Sequence, residues 1–261
     1  MKKGISFYFG YNIEPEERAK LIKKYGFDTV IIHADKKYNK QNGTIKKQIK
    51  IFKKYGLEVS TLHMSYNNEE LHYFWEVGKM GNKLTKNLIR DVKLAHKYGI
   101  SCVVVHLFGT YSQIGEQRIR KVLNVCEKLN VPLAIENIDC QSVFLETFKH
   151  ISHPYLKFCY DSGHNNAFDK DYDYLDNFGD KLIALHLHDN NGQDDQHTLE
   201  KYGNIDWEKI AKKIADKNLV LDYEIVMAYR ENETAEQCLK ETKEMADRLE
   251  KLIEKARLEN N

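Results

Sequence analysis

The sequence predicts an α/β protein folded as a single (β/α)8 barrel, the TIM barrel, with residues 1–261 forming one domain. Three observations carry this reading. Short runs rich in Val, Ile, Leu and aromatics alternate with charged stretches of helical spacing, eight times over. The length of 261 residues suits such a barrel, which takes ~250. The first strand candidate runs into Phe9-Gly10-Tyr11-Asn12, not the Gly-rich phosphate turn that an open doubly wound sheet normally carries there.

The elements follow in order. A first strand over 5–9 precedes a helix over 14–25, which closes on Lys24-Tyr25-Gly26. A strand over 29–33 and a loop over 34–43 lead to a helix over 44–55, closed by Lys54-Tyr55-Gly56. A strand over 59–63, then a loop carrying Phe74, Trp75 and Gly78, leads to a helix over 82–98, closed by Lys97-Tyr98-Gly99. Glycine just past a helix end supplies the left-handed residue of a C-cap, and the lysine suits the helix dipole. The remaining strands are expected at 102–106, 133–136, 158–161, 183–188 and 220–224. Helices at 115–129, 141–151, 171–178, 207–217 and 234–255 follow them in turn.

Composition narrows the function classes. Lys and Arg total 40 against 39 Asp and Glu, so a net charge of +1 leaves no electrostatic footprint for nucleic acid or an anionic membrane. Apolar runs reach about six residues, against the roughly 20 that span a bilayer. The N-terminus lacks the apolar core of a signal peptide, and five cysteines without CxxC spacing read as free thiols. A cytoplasmic protein with no membrane partner is expected.

The chemistry lies in where metal-binding residue types fall. His63 and His106 end strands three and four, Glu136 and Asp161 end five and six, His186 lies in seven, and Glu224 ends eight. His33 ends strand two, His164 follows Asp161 by three, and the loop after strand seven carries Asp195 and His197. A lone strand-end histidine is usually a hydrogen-bonded rim residue, and a lone carboxylate a helix cap. Gathered at one barrel mouth, so many polar groups would be costly unless compensated, and a metal compensates them. Imidazole with carboxylate favours zinc, manganese, iron or cobalt over calcium or magnesium. His188 is expected to point away from the interior if His186 points in, or else to orient a ligand. His72, His96, His150 and His153 receive no role. No lysine ends a strand, which argues against Schiff-base chemistry.

Several pieces occur in a telling order: Leu62-His63-Met64-Ser65-Tyr66, Val105-His106-Leu107-Phe108-Gly109, Ala134-Ile135-Glu136-Asn137 and Asp161-Ser162-Gly163-His164. His186-Leu187-His188-Asp189, Asp195-Gln196-His197, Gly203-Asn204-Ile205-Asp206-Trp207 and Tyr223-Glu224 complete the series. With these the chain resembles the xylose isomerase-like barrel superfamily, which includes sugar phosphate isomerase/epimerases and endonuclease IV (AP endonuclease family 2). In the endonuclease IV branch nine side chains hold three zinc ions. The resemblance then implies His63, His106 and Glu136 on one metal, Glu136, Asp161, His186 and Glu224 on the central one, and His164, Asp195 and His197 on the third. In the epimerase branch the central four hold one metal, Glu136 and Glu224 act as the acid/base pair, and His164 and its neighbours hold the sugar.

The resemblance therefore implies a sugar or sugar phosphate isomerase/epimerase using zinc or manganese, one to three ions, on a carbohydrate substrate. A metal chelated by adjacent substrate oxygens would acidify the C–H between them, and Glu136 and Glu224 would exchange protons with the resulting enediolate. His33, His164, Trp75 and Arg230 are the expected substrate contacts. The alternative is an endonuclease IV-like phosphodiesterase on abasic DNA; a non-catalytic metal- or sugar-binding barrel is the third reading. Loop 34–43 lacks the Arg and Trp of the DNA-inserting loop, and the acidic 189–195 loop repels a phosphate backbone. Asp194 stands where relatives often carry Arg or Lys, and Lys201 where glycine is usual. Both put a phosphorylated substrate and the third metal in doubt.

Overall fold

Apolar, β-branched runs form eight parallel strands in the computed structural model, which describes residues 1–65, 67–226 and 233–259. The strands are β1 Lys3–Ser6, β2 Thr29–His33, β3 Glu58–His63, β4 Cys102–Val105, β5 Leu133–Glu136, β6 Leu156–Asp161, β7 Leu182–His186 and β8 Leu221–Tyr223. They pair in the order β7-β6-β5-β4-β3-β2-β1-β8. The two edges meet where the Leu187 N–H donates to Asp222 O (2.8 Å) and the Glu224 N–H to Leu187 O (3.0 Å), which nearly closes the barrel.

Helices wrap the outside: α1 Pro15–Lys24, α2 Lys36–Asn42, α3 Ile45–Tyr55, α4 Lys79–Tyr98, α5 Gln113–Leu129, α6 Gln141–His150, α7 Ser162–Phe168, α8 Tyr174–Phe178, α9 Trp207–Ile214 and α10 Ala235–Glu259. Gly56 (φ 66°) and Gly99 (φ 69°) take the left-handed C-cap conformation expected of the Lys-Tyr-Gly phrases. Because strand side chains alternate, Val103, Val105, Ile135 and Phe158 pack outward on the helices, while Cys102, Val104, Ala134, Cys159 and Ala184 form a separate interior cluster. No disulfide joins any two of the five cysteines. Among the described residues no helix is long and apolar enough to cross a membrane.

Most expected elements shift by a few residues at their ends, and a helix not expected from the sequence, α7, stands at Ser162–Phe168. The first strand and the 34–43 loop depart most. The first strand begins at Lys3 and ends at Ser6, two residues before the start and three before the end of the expected 5–9 run. Lys3 and Gly4 disguised it. Lys3 is buried because it pairs with Asp247 (2.9 Å) and Glu250, and Gly4 is required because a Cβ there would lie 1.8 Å from Asp222 Oδ1. Phe7 and Phe9 are buried in the core beyond the strand end. The loop expected over 34–43 contains α2, which has no apolar period; Asp35 caps it through the Lys37 N–H (2.6 Å), and the buried Arg18 guanidinium donates to Asn42 Oδ1.

Asp222 faces the barrel interior, accepting from Thr29 Oγ1 at 3.1 Å. Burial raises its carboxyl from the ordinary 3.8 to about 6. The folded state thus holds a proton that the unfolded chain releases between about pH 4 and 6, so stability from this group is present below pH 4 and declines as pH rises through 6. The loss amounts to about 3 kcal/mol at neutrality. Asp222→Asn fixes the uncharged form. In urea unfolding of metal-stripped protein, its gain over the parent is expected to be near zero at pH 4 and to grow to about 2–3 kcal/mol at pH 7. A difference that does not change with pH would contradict this assignment.

Candidate metal centre

Barrel geometry delivers the site. His63, Glu136, Asp161 and His186 are the last residues of β3, β5, β6 and β7, while His106 and Glu224 directly follow β4 and β8. Asp161 also caps α7, accepting the His164 N–H at 2.7 Å, which brings His164 over the strand ends. Asp195 and His197 reach in from the β7–α9 loop. Asp189 organises that loop: its Oδ1 accepts the Asn190, Asn204 and Ile205 N–H groups (2.8, 2.9 and 3.1 Å) and its Oδ2 accepts Trp207 Nε1–H (2.7 Å). Gly203 leaves room for that carboxylate, since a Cβ there would lie 1.9 Å from it.

The side chains converge on a cavity of about 420 Å³. Glu136 is its hub: Oε1 lies 3.1 Å from His164 Nδ1 and 3.2 Å from His106 Nε2, and Oε2 lies 3.0 Å from His186 Nδ1 and 3.6 Å from His63 Nε2. Glu224 Oε2 is 3.7 Å from the same His186 nitrogen. Asp195 Oδ2 sits 3.3 Å from His164 Nε2 and 3.2 Å from His197 Nε2. Ring orientations are fixed from behind: His63 Nδ1 faces Met64 O (3.1 Å) and His197 Nδ1 faces Glu224 O (2.7 Å), leaving both Nε2 atoms aimed at the carboxylates. His197 adopts φ 47°, rare for a side chain with a Cβ, and such backbone strain is a recurrent mark of functional sites.

Electrostatics follow the packing. Burial would raise the Glu136 carboxyl, but His186 and His106 outweigh it and hold it well below the usual range. Burial would lower His164 and His186, yet Asp161 beside the first, and Cys159, Glu224 and Glu136 beside the second, raise both well above 6.5. Against its burial, Asp195 raises His197 to about 9. Burial together with neighbouring His63 lowers His33 well below 6.5.

The donor set fits a divalent metal. Both Glu136 oxygens, both His186 nitrogens, Asp195 Oδ1 and Glu224 Oε1 are buried without a hydrogen-bond partner, each a cost of about 1–3 kcal/mol that coordination removes. Donor atoms lie within 4.8 Å of one another in the groups His63/His106/Glu136, Asp161/His186/Glu224, Glu136/Asp161/His164 and His164/His188/Asp195/His197. Every one of the nine donor positions read from the sequence is therefore brought into this cluster.

The substrate contacts read from sequence fare differently. His33 lines the cavity, stacked on Tyr38 (4.2 Å) and on His63 (5.0 Å). His164 lines it as well. Trp75 does not: it is buried against Tyr111 and over Gly115, where a Cβ would lie 2.0 Å from Cε3, so it packs the 3-10 segment Asn68–Trp75 onto α5. Arg230 lies outside the described residues. Lys201 turns away to Glu241 (2.7 Å). The expectation that His188 faces away from the interior is overturned, because residues two apart on a strand share a face and His186 and His188 point the same way. The same period-two rule would have found Phe108 after His106 and Ile138 after Glu136, both lining the cavity with Tyr8, Leu71 and Phe168.

Fold and site together define a (β/α)8 barrel with clustered candidate metal ligands at its C-terminal strand ends. The chain belongs to the xylose isomerase-like TIM barrel family, which it matches over residues 19–252. An uncharacterized protein of Sinorhizobium fredii is 31% identical over 166 residues, 56% of this chain and 52% of that one, so the chain spans about half the length of this relative. Among solved structures, a D-tagatose 3-epimerase-like protein is 20% identical with a TM-score of 0.77, covering 98% of this chain and 99% of the other. D-psicose 3-epimerase from Clostridium cellulolyticum is 16% identical with a TM-score of 0.69, covering 98% and 96%.

Proposed function

We propose that the protein is a divalent-metal-dependent isomerase or epimerase of sugars, with Glu136 and Glu224 as its proton-transferring pair. The observation that supports this most directly is that the two carboxylates flank one imidazole in one cavity, 3.0 and 3.7 Å from His186 Nδ1. Asp161, His186, Glu136 and Glu224 would hold the metal, zinc or manganese, which when bound polarises a substrate carbonyl and hydroxyl. Glu136, kept ionised by its imidazole neighbours, takes the proton from the carbon beside the carbonyl on one face. Glu224, at the end of another strand of the barrel mouth, returns a proton on the other face. His164 and His33 offer hydrogen-bonding edges to hydroxyl groups, while Tyr8, Tyr38, Phe108 and Phe168 cover the non-reacting part and exclude water. The epimerases named above support a carbohydrate substrate.

A second reading, a three-metal phosphodiesterase on abasic DNA, is favoured by the convergence of all nine donors. Against it, α2 carries Tyr38 into the cavity from the loop that would have to engage DNA. Metal per chain, in protein purified without chelator or nickel resin, separates the two. The expected result is about one equivalent of manganese, cobalt, iron or zinc, together with deuterium uptake from D2O at the carbon beside the carbonyl of a ketohexose. Two to three equivalents of zinc with abasic-site cleavage would favour the phosphodiesterase. Protein that takes up no metal on reconstitution refutes both.

A further inference from the structure

The geometry points to His188 as a positioning residue that braces the two sides of the metal centre without being a ligand; this rests on the reading of the surrounding donors as metal ligands. His188 is fully buried, its Nε2 3.0 Å from Asp161 Oδ1 and 3.2 Å from Oδ2. Its ring stacks on His197 with centroids 3.8 Å apart and planes 11° from parallel. The backbone of Gly163 also packs against the ring, where a Cβ would come within 1.9 Å of His188 Cε1. Its own backbone is pinned by Ser162, whose Oγ donates to His188 O (2.7 Å) and accepts the His188 N–H (3.0 Å). Four constraints thus hold one imidazole that touches the central group through Asp161 and the outer group through His197.

By distance alone His188 could be counted with His164, Asp195 and His197 as a fourth ligand. The stacking decides against it. A metal bound through an imidazole nitrogen lies near that ring's plane, about 2.0–2.1 Å from the nitrogen. Two rings stacked 3.8 Å apart and nearly parallel cannot both contain one ion in their planes. His197 has its Nδ1 held by Glu224 O and its Nε2 turned to Asp195 within the outer group, whereas His188 turns Nε2 to Asp161 of the central group. His188 therefore inverts the usual histidine–carboxylate support: here the carboxylate is the ligand and the imidazole N–H orients it. It also prevents the His197 ring from tilting away from Asp195.

The test uses the full chain, stripped of metal and titrated with Co2+ against a chromophoric chelator, with the visible cobalt spectrum recorded. His188→Phe keeps the stack and removes the hydrogen bond. It is expected to weaken cobalt binding 10- to 100-fold, the usual effect of losing such a support, with the number of cobalt ions bound unchanged. His188→Gln restores a donor toward Asp161 and should recover most of the affinity. Gly163→Ala, which dislodges the ring without altering His188, should behave like His188→Phe and keeps the test open if that variant does not fold. Wild-type affinity and spectrum in both His188→Phe and Gly163→Ala would overturn the proposal. So would loss of a whole equivalent of cobalt with a changed ligand-field spectrum, which would make His188 a ligand. Wild-type protein that binds no cobalt overturns the metal reading itself, whereas cobalt binding without sugar turnover sinks only the proposed activity.

Discussion

Glu136→Gln is expected to lower kcat/KM by at least about 10³-fold, the scale of losing a positioned proton-transfer group together with metal-supported charge stabilisation. The substitution conserves volume, so the fold should survive and the loss should be chemical. In the native arrangement one carboxylate faces His63, His106, His164 and His186 at 3.0–3.6 Å. An amide removes the charge that these imidazoles surround, a charge that helps raise His164 and His186 well above 6.5. Bound metal should fall in parallel, measured by elemental analysis on the same preparation. A variant that keeps its metal and more than a tenth of its activity would remove Glu136 from the centre of the mechanism.

Arg118→Met is expected to cost about 3 kcal/mol, from carbonyls left without donors at about 1–3 kcal/mol each after partial rescue by water. The buried guanidinium donates to the carbonyls of Phe74 (2.6 Å), Glu76 (2.7 Å), Tyr73 (3.3 Å) and Gly78 (3.4 Å), and to Asn82 Oδ1 (3.3 Å). It ties the 3-10 segment Asn68–Trp75 and the start of α4 to α5, and Gly81 is needed because a Cβ there would lie 2.2 Å from Nη1. For a chain of this size, 3 kcal/mol is roughly 6–12 °C in Tm. Leu71, on that segment, lines the cavity, so KM should rise more than kcat falls. Lysine should not rescue, because one ammonium cannot serve a planar array of carbonyls. A variant with parental Tm and KM would show that the segment is held by Phe74 and Trp75 alone.

The barrel was legible because parallel strands buried on both faces read as unbroken apolar runs, and because Lys-Tyr-Gly marks helix ends by chemistry. The clustered candidate donors were legible because histidine and carboxylate at the end of an apolar strand have few inexpensive alternatives. What was hidden depends on contacts distant in sequence. Nothing local to Lys3-Gly4 announces a strand; Asp222, Asp247 and Glu250 make it one. α2 is short and polar, stabilised by its cap and by Arg18. Trp75 reads as a substrate contact because the segment after His63 resembles a substrate-covering loop, yet two glycines, Gly109 and Gly115, open the slot that takes its indole inward. His188 was misplaced by parity, not by any subtlety of packing.

The hub at Asp189 bears on how this barrel could be remodelled. The loop that carries Asp195 and His197 is stitched to its own base: Asp189 at one end receives Asn204, Ile205 and Trp207 from the other, and Asn166 from α7 joins the seam by donating to Asn190 and Asn204. Such a loop is a cassette. Exchanging only 191–202 between related barrels would leave that clasp in place, because Asp189, Asn190, Asn204, Ile205 and Trp207 lie outside the exchanged stretch. The tip would be free to take new residues. Descendants of this scaffold can therefore change what the outer end of the site recognises while the lower strand ends, and the proton chemistry proposed there, stay as they are.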